Sequence, residues 1–167
     1  MEIQNITLAI AQELFTTAEQ IRFTRLKDAM KLFLQAGRAG FAPAWHELGL
    51  IQQDGARHDG DHKEAFRYFQ KAAKLGHIPS FYLLAQAYYR GRGVLQNDTE
   101  MFNWALKAAE AGHTEARYQT GMLYAEGTGT AYNIHEAIIW LTRAAQNNHP
   151  KAAGKLIELI QTSWRHI

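Results

Sequence analysis

Eight histidines and no cysteine stand in the 167-residue sequence. The densest group is His58-Asp59-Gly60-Asp61-His62. Imidazole and carboxylate groups ligate zinc, and a spacing of four on a helix can aim two histidines together. This stretch reads instead as a loop between two helices, with Asp61 needed as a helix cap, so no metal site and no cofactor are expected. Glu64, Glu100 and Glu136 could suggest paired carboxylates for acid–base work. Each lies three residues after a capping candidate, and capping accounts for them better. Gly91-x-Gly93 and Gly127-x-Gly129 follow helices rather than strands and lack the Gly-Lys-Ser/Thr sequel of a phosphate loop. No Gly-x-Ser-x-Gly elbow or His-Glu-x-x-His helix occurs. With cysteine absent, disulfides, thiolate metal sites and cysteine nucleophiles are excluded. The sequence presents no catalytic constellation, and a non-enzymatic protein is expected.

The remaining histidines lead to the elements that position them. Lys71-Ala72-Ala73-Lys74-Leu75-Gly76-His77, Lys107-Ala108-Ala109-Glu110-Ala111-Gly112-His113 and Arg143-Ala144-Ala145-Gln146-Asn147-Asn148-His149 are copies of one phrase, and Gln35 to Phe41 is a weaker fourth. The phrases end at 41, 77, 113 and 149, so every interval is 36 residues. Recurrence at such a period marks a repeat architecture. His77, His113 and His149 would then lie in a row rather than converge on one ion, which makes them structural. Other columns keep the step: Gly55, Gly91 and Gly127; Asp61, Asn97 and Asn133; Tyr68, Trp104 and Trp140; Gly49, Ala85 and Gly121.

Each unit reads as two helices. In the first, helix A runs from about Ala44 to Asp54, with Ala44, Leu48, Gly49 and Ile51 at helical spacing. Gly55 is expected to close it in the left-handed conformation. Helix B starts near Asp61, an N-cap whose partner Glu64 can reach back to the cap's own N–H. Ala65, Phe69 and Ala72, with Tyr68 beside them, give helix B its buried stripe. Gly76 and Gly112 close helix B, and Asn148 replaces them in the last copy. The small column at 49, 85 and 121 lets helix backbones approach closely. Stacked copies bury faces that one pair cannot bury alone.

Composition narrows the function classes. Eighteen Lys and Arg oppose 16 Asp and Glu, and 47% of residues are hydrophobic. Nucleic acid as main partner needs clustered positive charge, and no such cluster exists. No stretch approaches the ~18 apolar residues of a membrane span. The first basic residue is Arg22, unlike the start of a secretory signal, so a cytoplasmic location is expected.

The pattern Ala-x-x-x-Leu-Gly-x-x-Tyr-x-x-Gly-x-Gly, then Asn/Asp-x-x-Glu-Ala, then Lys/Arg-Ala-Ala-x-x-Gly-His resembles the Sel-one-like repeat family, a relative of tetratricopeptide repeats. The best copy spans Ala116 to His149, with Gly121, Tyr124, Gly127, Gly129, Asn133, Glu136, Ala137 and Trp140 in register. Arg57 and Gln52 depart from the pattern in the first copy, and Met101 takes the helix B alanine place in the second. The resemblance implies an all-α, right-handed α-solenoid of antiparallel helix pairs. It would form one domain: a divergent unit at 6–41, repeats at 42–77, 78–113 and 114–149, and a capping helix over 150–167. Ile6, Ile10, Leu14 and Phe15 would cap one end. Ala152, Leu156, Leu159 and Ile160 would cover the other, with Trp164 tucked in or held in a dimer contact.

The resemblance also implies a protein-binding scaffold with helix A lining the groove. At about 100° per residue, the side chains of helix A that face away from the core are His46, Leu50 and Gln53 in the first unit. Tyr82, Gln86, Tyr89 and Arg90 follow in the second, then Tyr118 and Met122 in the third, with Glu126 at the rim. Tyrosine and methionine suit recognition surfaces, although Tyr82 and Tyr118 could instead pack on neighbouring A helices. The expected partner is another protein, either the client of an adaptor or a toxin neutralised by an immunity protein, bound by a monomer or weak homodimer. Some related repeat proteins have been described as hydrolases, but those carry a cysteine pair in each repeat.

Overall fold

A computed structural model describes residues 2–55 and 59–163. Among the described residues there are nine helices and no strand: α1 (Glu2–Ile21), α2 (Leu26–Arg38), α3 (Ala42–Asp54), α4 (Asp59–Lys74), α5 (Ile78–Arg90), α6 (Asp98–Glu110), α7 (Thr114–Glu126), α8 (Ile134–Gln146) and α9 (Ala152–Ser163). None is long and apolar enough to cross a membrane. The chain forms two compact units, and the division falls within α5: residues 1–80 with 92–94, and residues 81–91 with 95–167.

In the first unit α1 packs on α2, α2 on α3 and α3 on α4. The core is Phe33 and Leu48 among alanines of four helices, including Ala11, Ala36, Ala44 and Ala72, all within 1% of full burial. Gly49 faces Phe69 of α4 so closely that an added methyl would enter the ring. The helix B stripe is as expected: Ala65, Phe69 and Ala72 are buried. Lys71 lies 4.4 Å above the Trp45 ring, which stacks on Tyr68.

The second unit repeats this chemistry. Leu84, Ala85, Ala105, Ala137 and Leu141 are buried. A methyl on Gly121 would lie 2.8 Å from Leu141 Cγ and 3.2 Å from the Ala137 carbonyl oxygen. Lys107 sits 4.7 Å above the Phe81 ring and Arg143 4.6 Å above Trp140. Close contact recurs in the loops: a side chain at Gly129 would collide with the Asp98 carbonyl.

Helix ends follow the sequence in part. Asn97 Oδ1 accepts from the Glu100 N–H, and Asn133 Oδ1 from those of His135 and Glu136. Asn148 takes φ +59°, the left-handed value that glycine supplies at 76 and 112. Four expectations change. Helix α4 starts at Asp59, so Asp61 lies inside the helix rather than at the position before it. Gly55 has φ −83° and closes α3 with right-handed backbone, its N–H donating to Gln53 and Ile51 carbonyls. The reach-back by glutamate is not what satisfies the cap N–H groups; Asn97 and Asn133 donate instead to the Tyr88 and Tyr124 carbonyls, at 3.2 and 2.9 Å. Finally, Ile6 and Ile10 are 60% and 52% exposed, because α1 turns Ala11 and Ala18 into the core, with Leu14 and Phe15 packed against it. At the other end Ala152 is buried and Leu156, Leu159 and Ile160 are half-buried, while Trp164 lies outside the described residues.

Two substitutions test this packing. Gly121→Ala would gain about 1 kcal/mol from helix propensity alone, but the contact with Leu141 reverses the sign, and a net loss of about 1–3 kcal/mol in urea unfolding is expected. Thr120 occupies the column of Leu48 and Leu84, is fully buried, and its hydroxyl has no hydrogen-bond partner. The near-isosteric Thr120→Val removes that orphan, and urea unfolding should show a gain of about 1 kcal/mol.

Candidate functional site

The sequence-derived site residues divide between the two units. In the first, His46 Nδ1 lies 3.0 Å from Ser80 Oγ, and His77 Nδ1 lies 3.0 Å from the same oxygen. The two rings are 4.5 Å apart. One hydroxyl has one proton to give, so it donates to one imidazole and accepts from the other, and the neutral pair holds complementary tautomers. Burial lowers His46 to about 4, with a smaller contribution from His77, and burial lowers His77 as well. His46 thus packs against the start of the next repeat. Leu50 and Gln53 are half-buried on the same helix.

In the second unit the same pairing recurs. Tyr82 stacks on His113 at 4.6 Å and Tyr118 on His149 at 4.2 Å. Each histidine also anchors the next helix start: His113 Nδ1 accepts from the Ala116 N–H, and His149 Nδ1 from the Lys151 N–H. His149 Nε2 bonds Glu115 at 3.0 Å. The Tyr82 hydroxyl accepts from Gln119 Nε2 at 3.1 Å, and burial raises it above the usual phenol range. Tyr82 and Tyr118 are therefore half-buried packing groups.

Beyond these stacked rings, α5 and α7 leave a cavity of about 330 Å³. Gln86, Tyr89, Tyr118 and Met122 line it, and these are four of the nine expected contact residues. Tyr89 is 59% exposed, and Arg90 is exposed beyond the lining. Sequence reasoning missed Gln119 and Leu123, which complete the wall with Ala85, Glu126 and Met101. Met101 was visible as a departure: Ala65 and Ala137 hold its column elsewhere, and the longer side chain reaches the cavity floor. Gln119 and Leu123 carry no such signal, because each is the neighbour of a facing residue. Among the described residues no group of histidines and carboxylates could hold a metal ion; His58 lies outside them.

Paired helices recurring every 36 residues, with a cavity between the A helices α5 and α7, define a helix-pair repeat protein. The Sel1 repeat model matches residues 42–77, 82–113 and 114–149, and the chain belongs to the Sel1 repeat family. No curated protein matches the sequence. Solved structures share the fold. A Sel1 repeat protein from Oxalobacter formigenes is 22% identical at TM-score 0.73, over 87% of this chain and 60% of its own. A protective antigen of uropathogenic Escherichia coli strains, displaying an SLR fold, is 23% identical at TM-score 0.78, over 91% of this chain and 34% of its own. Cysteine rich protein B of Helicobacter pylori is 19% identical at TM-score 0.61, over 78% of this chain and 94% of its own. The chain thus spans less than two thirds of the first two. Sel1 repeats generally mediate protein–protein interaction and are generally non-catalytic.

The half-buried histidine pair predicts a pH dependence. An unfolded His46 takes up its proton near pH 6.5, whereas the folded one does so only near 4. The unfolded state therefore binds more protons between those values, and stability present above pH 6.5 falls as the pH is lowered through this window. Urea midpoints at pH 7 and 4.5 should show His46→Gln losing less stability on acidification than the parent, by up to about 3 kcal/mol. Equal losses in both proteins would contradict the assignment.

Proposed function

We propose that this chain is a non-catalytic binding module that holds a segment of a partner protein in the cavity between α5 and α7, as an adaptor or regulator. One observation carries this: a cavity of about 330 Å³ walled by two tyrosines, two methionines and a leucine, with glutamine amides among them. Aromatic and methionine side chains offer contact area that adapts to a partner at modest entropic cost. The volume is at the small end of ligand pockets, about 300–1,000 Å³, and suits a short anchor of a larger surface. The walls are also held before any partner arrives. Tyr118 is stacked on His149, and Gln119 is bonded to Tyr82. Less ordering is then lost on binding.

The test is affinity capture from the native cell, followed by calorimetry on what is retained. Tyr89→Ala with Met122→Ala should weaken the captured partner at least about tenfold, or 1.4 kcal/mol, with the far-ultraviolet spectrum unchanged. Unaltered affinity in the folded double variant would sink this reading.

A further inference from the structure

The chemistry of the cavity wall says more about its occupant. Its lining is aliphatic, thioether, phenol or amide except for one charged side chain, Glu126. Glu126 is exposed at the C-terminal end of α7, and among the described residues it forms no ion pair. Glu115, about three turns earlier on α7, already accepts from His149 and is 45% exposed. Arg90, the positive group at the corresponding end of α5, is not part of the lining. The one charge in the lining is therefore negative, and it stands at the exposed rim of a wall that includes Met101, Met122 and Leu123.

We infer that the groove takes an extended peptide segment carrying an apolar side chain and, two residues away, a lysine or arginine that pairs with Glu126. This rests on the groove reading above and adds the class of segment. The spacing follows from the helix. Met122 and Glu126 are four residues apart, about 6 Å along α7 at 1.5 Å per residue. An extended chain rises about 3.3 Å per residue and returns to the same side every second one, so an apolar-x-basic or basic-x-apolar order matches that distance. The Gln86 and Gln119 amides stand in the same wall, where they can serve the occupant's backbone N–H and C=O groups. An acidic segment would instead set a carboxylate against the Glu126 carboxylate, and like charges face to face cost affinity.

Fluorescein-labelled nine-residue peptides test this by anisotropy on the full chain. Each carries Leu with Arg, or Leu with Glu, two places away, in both orders. The Arg peptides should bind about tenfold more tightly than the Glu peptides at low salt, with the difference shrinking at high salt. Glu126→Gln should remove the difference and Glu126→Lys reverse it. If Glu peptides bind as well as Arg peptides, or the preference survives Glu126→Lys, the inference is overturned while the groove stands, provided Tyr89→Ala with Met122→Ala abolishes binding. If no peptide binds, or binding persists in that double variant, both the inference and the groove reading fail.

Discussion

In each unit a helix pair packs closely at a glycine, where any side chain would collide with the facing helix. Gly49 lies under the Phe69 ring, and Gly121 lies against Leu141 and the Ala137 carbonyl. A helix pair this tight has little apolar surface of its own to bury, since much of its stripe is alanine. Alanine removes less area from water than leucine, at ~25 cal/mol per Å², but it lets helices approach and gain dispersion over many atoms. The copies must then stack, because each pair leaves a face that only the next pair can cover. The 36-residue period, the small column and the paired alanines all follow from that constraint.

Stacking also explains the histidines. Each one closes a repeat, caps or braces the next helix A, and presents its ring to a side chain of the preceding helix A: His46 with His77, Tyr82 with His113, Tyr118 with His149. The separation within every pair is 31 residues, so the contact is a property of the repeat rather than of any one copy. A neutral imidazole suits the place. It donates from one nitrogen and accepts at the other, and it stacks as an aromatic ring. The outward rings near the start of each helix A are thereby used in packing. What the stacked rings leave open is the later part of the helix, where Gln86, Tyr89 and Met122 line the cavity.

Cysteine rich protein B of Helicobacter pylori is named for a residue this chain lacks, yet the fold is shared. Here the repeats are held by caps, close helix contacts and cations over aromatic rings. Lys71, Lys107 and Arg143 each cover an indole or phenyl face while their charged ends stay in water, an arrangement worth about 0.5–1 kcal/mol at exposed positions. Each covers the ring three residues before it, Tyr68, Trp104 and Trp140, and those three contacts recur in register with the repeat.

Periodicity alone determined the helix pairs, the small column, the asparagine caps at 97 and 133, and the left-handed Asn148, because each depends on residues near in sequence and is repeated with the period. It also placed Gln86, Tyr89, Tyr118 and Met122 on one side of their helices, since facing follows from helical pitch. It did not reveal that Gln119, Leu123 and Met101 join them, that Ser80 serves two histidines, or that Tyr88 and Tyr124 take the cap N–H groups. Nor did it show Ile6 and Ile10 left outside the core. Those outcomes depend on which neighbouring helix arrives, at what distance and in what rotation. Only the tertiary packing decides that, because a helix wheel fixes the direction of a side chain but not what it meets.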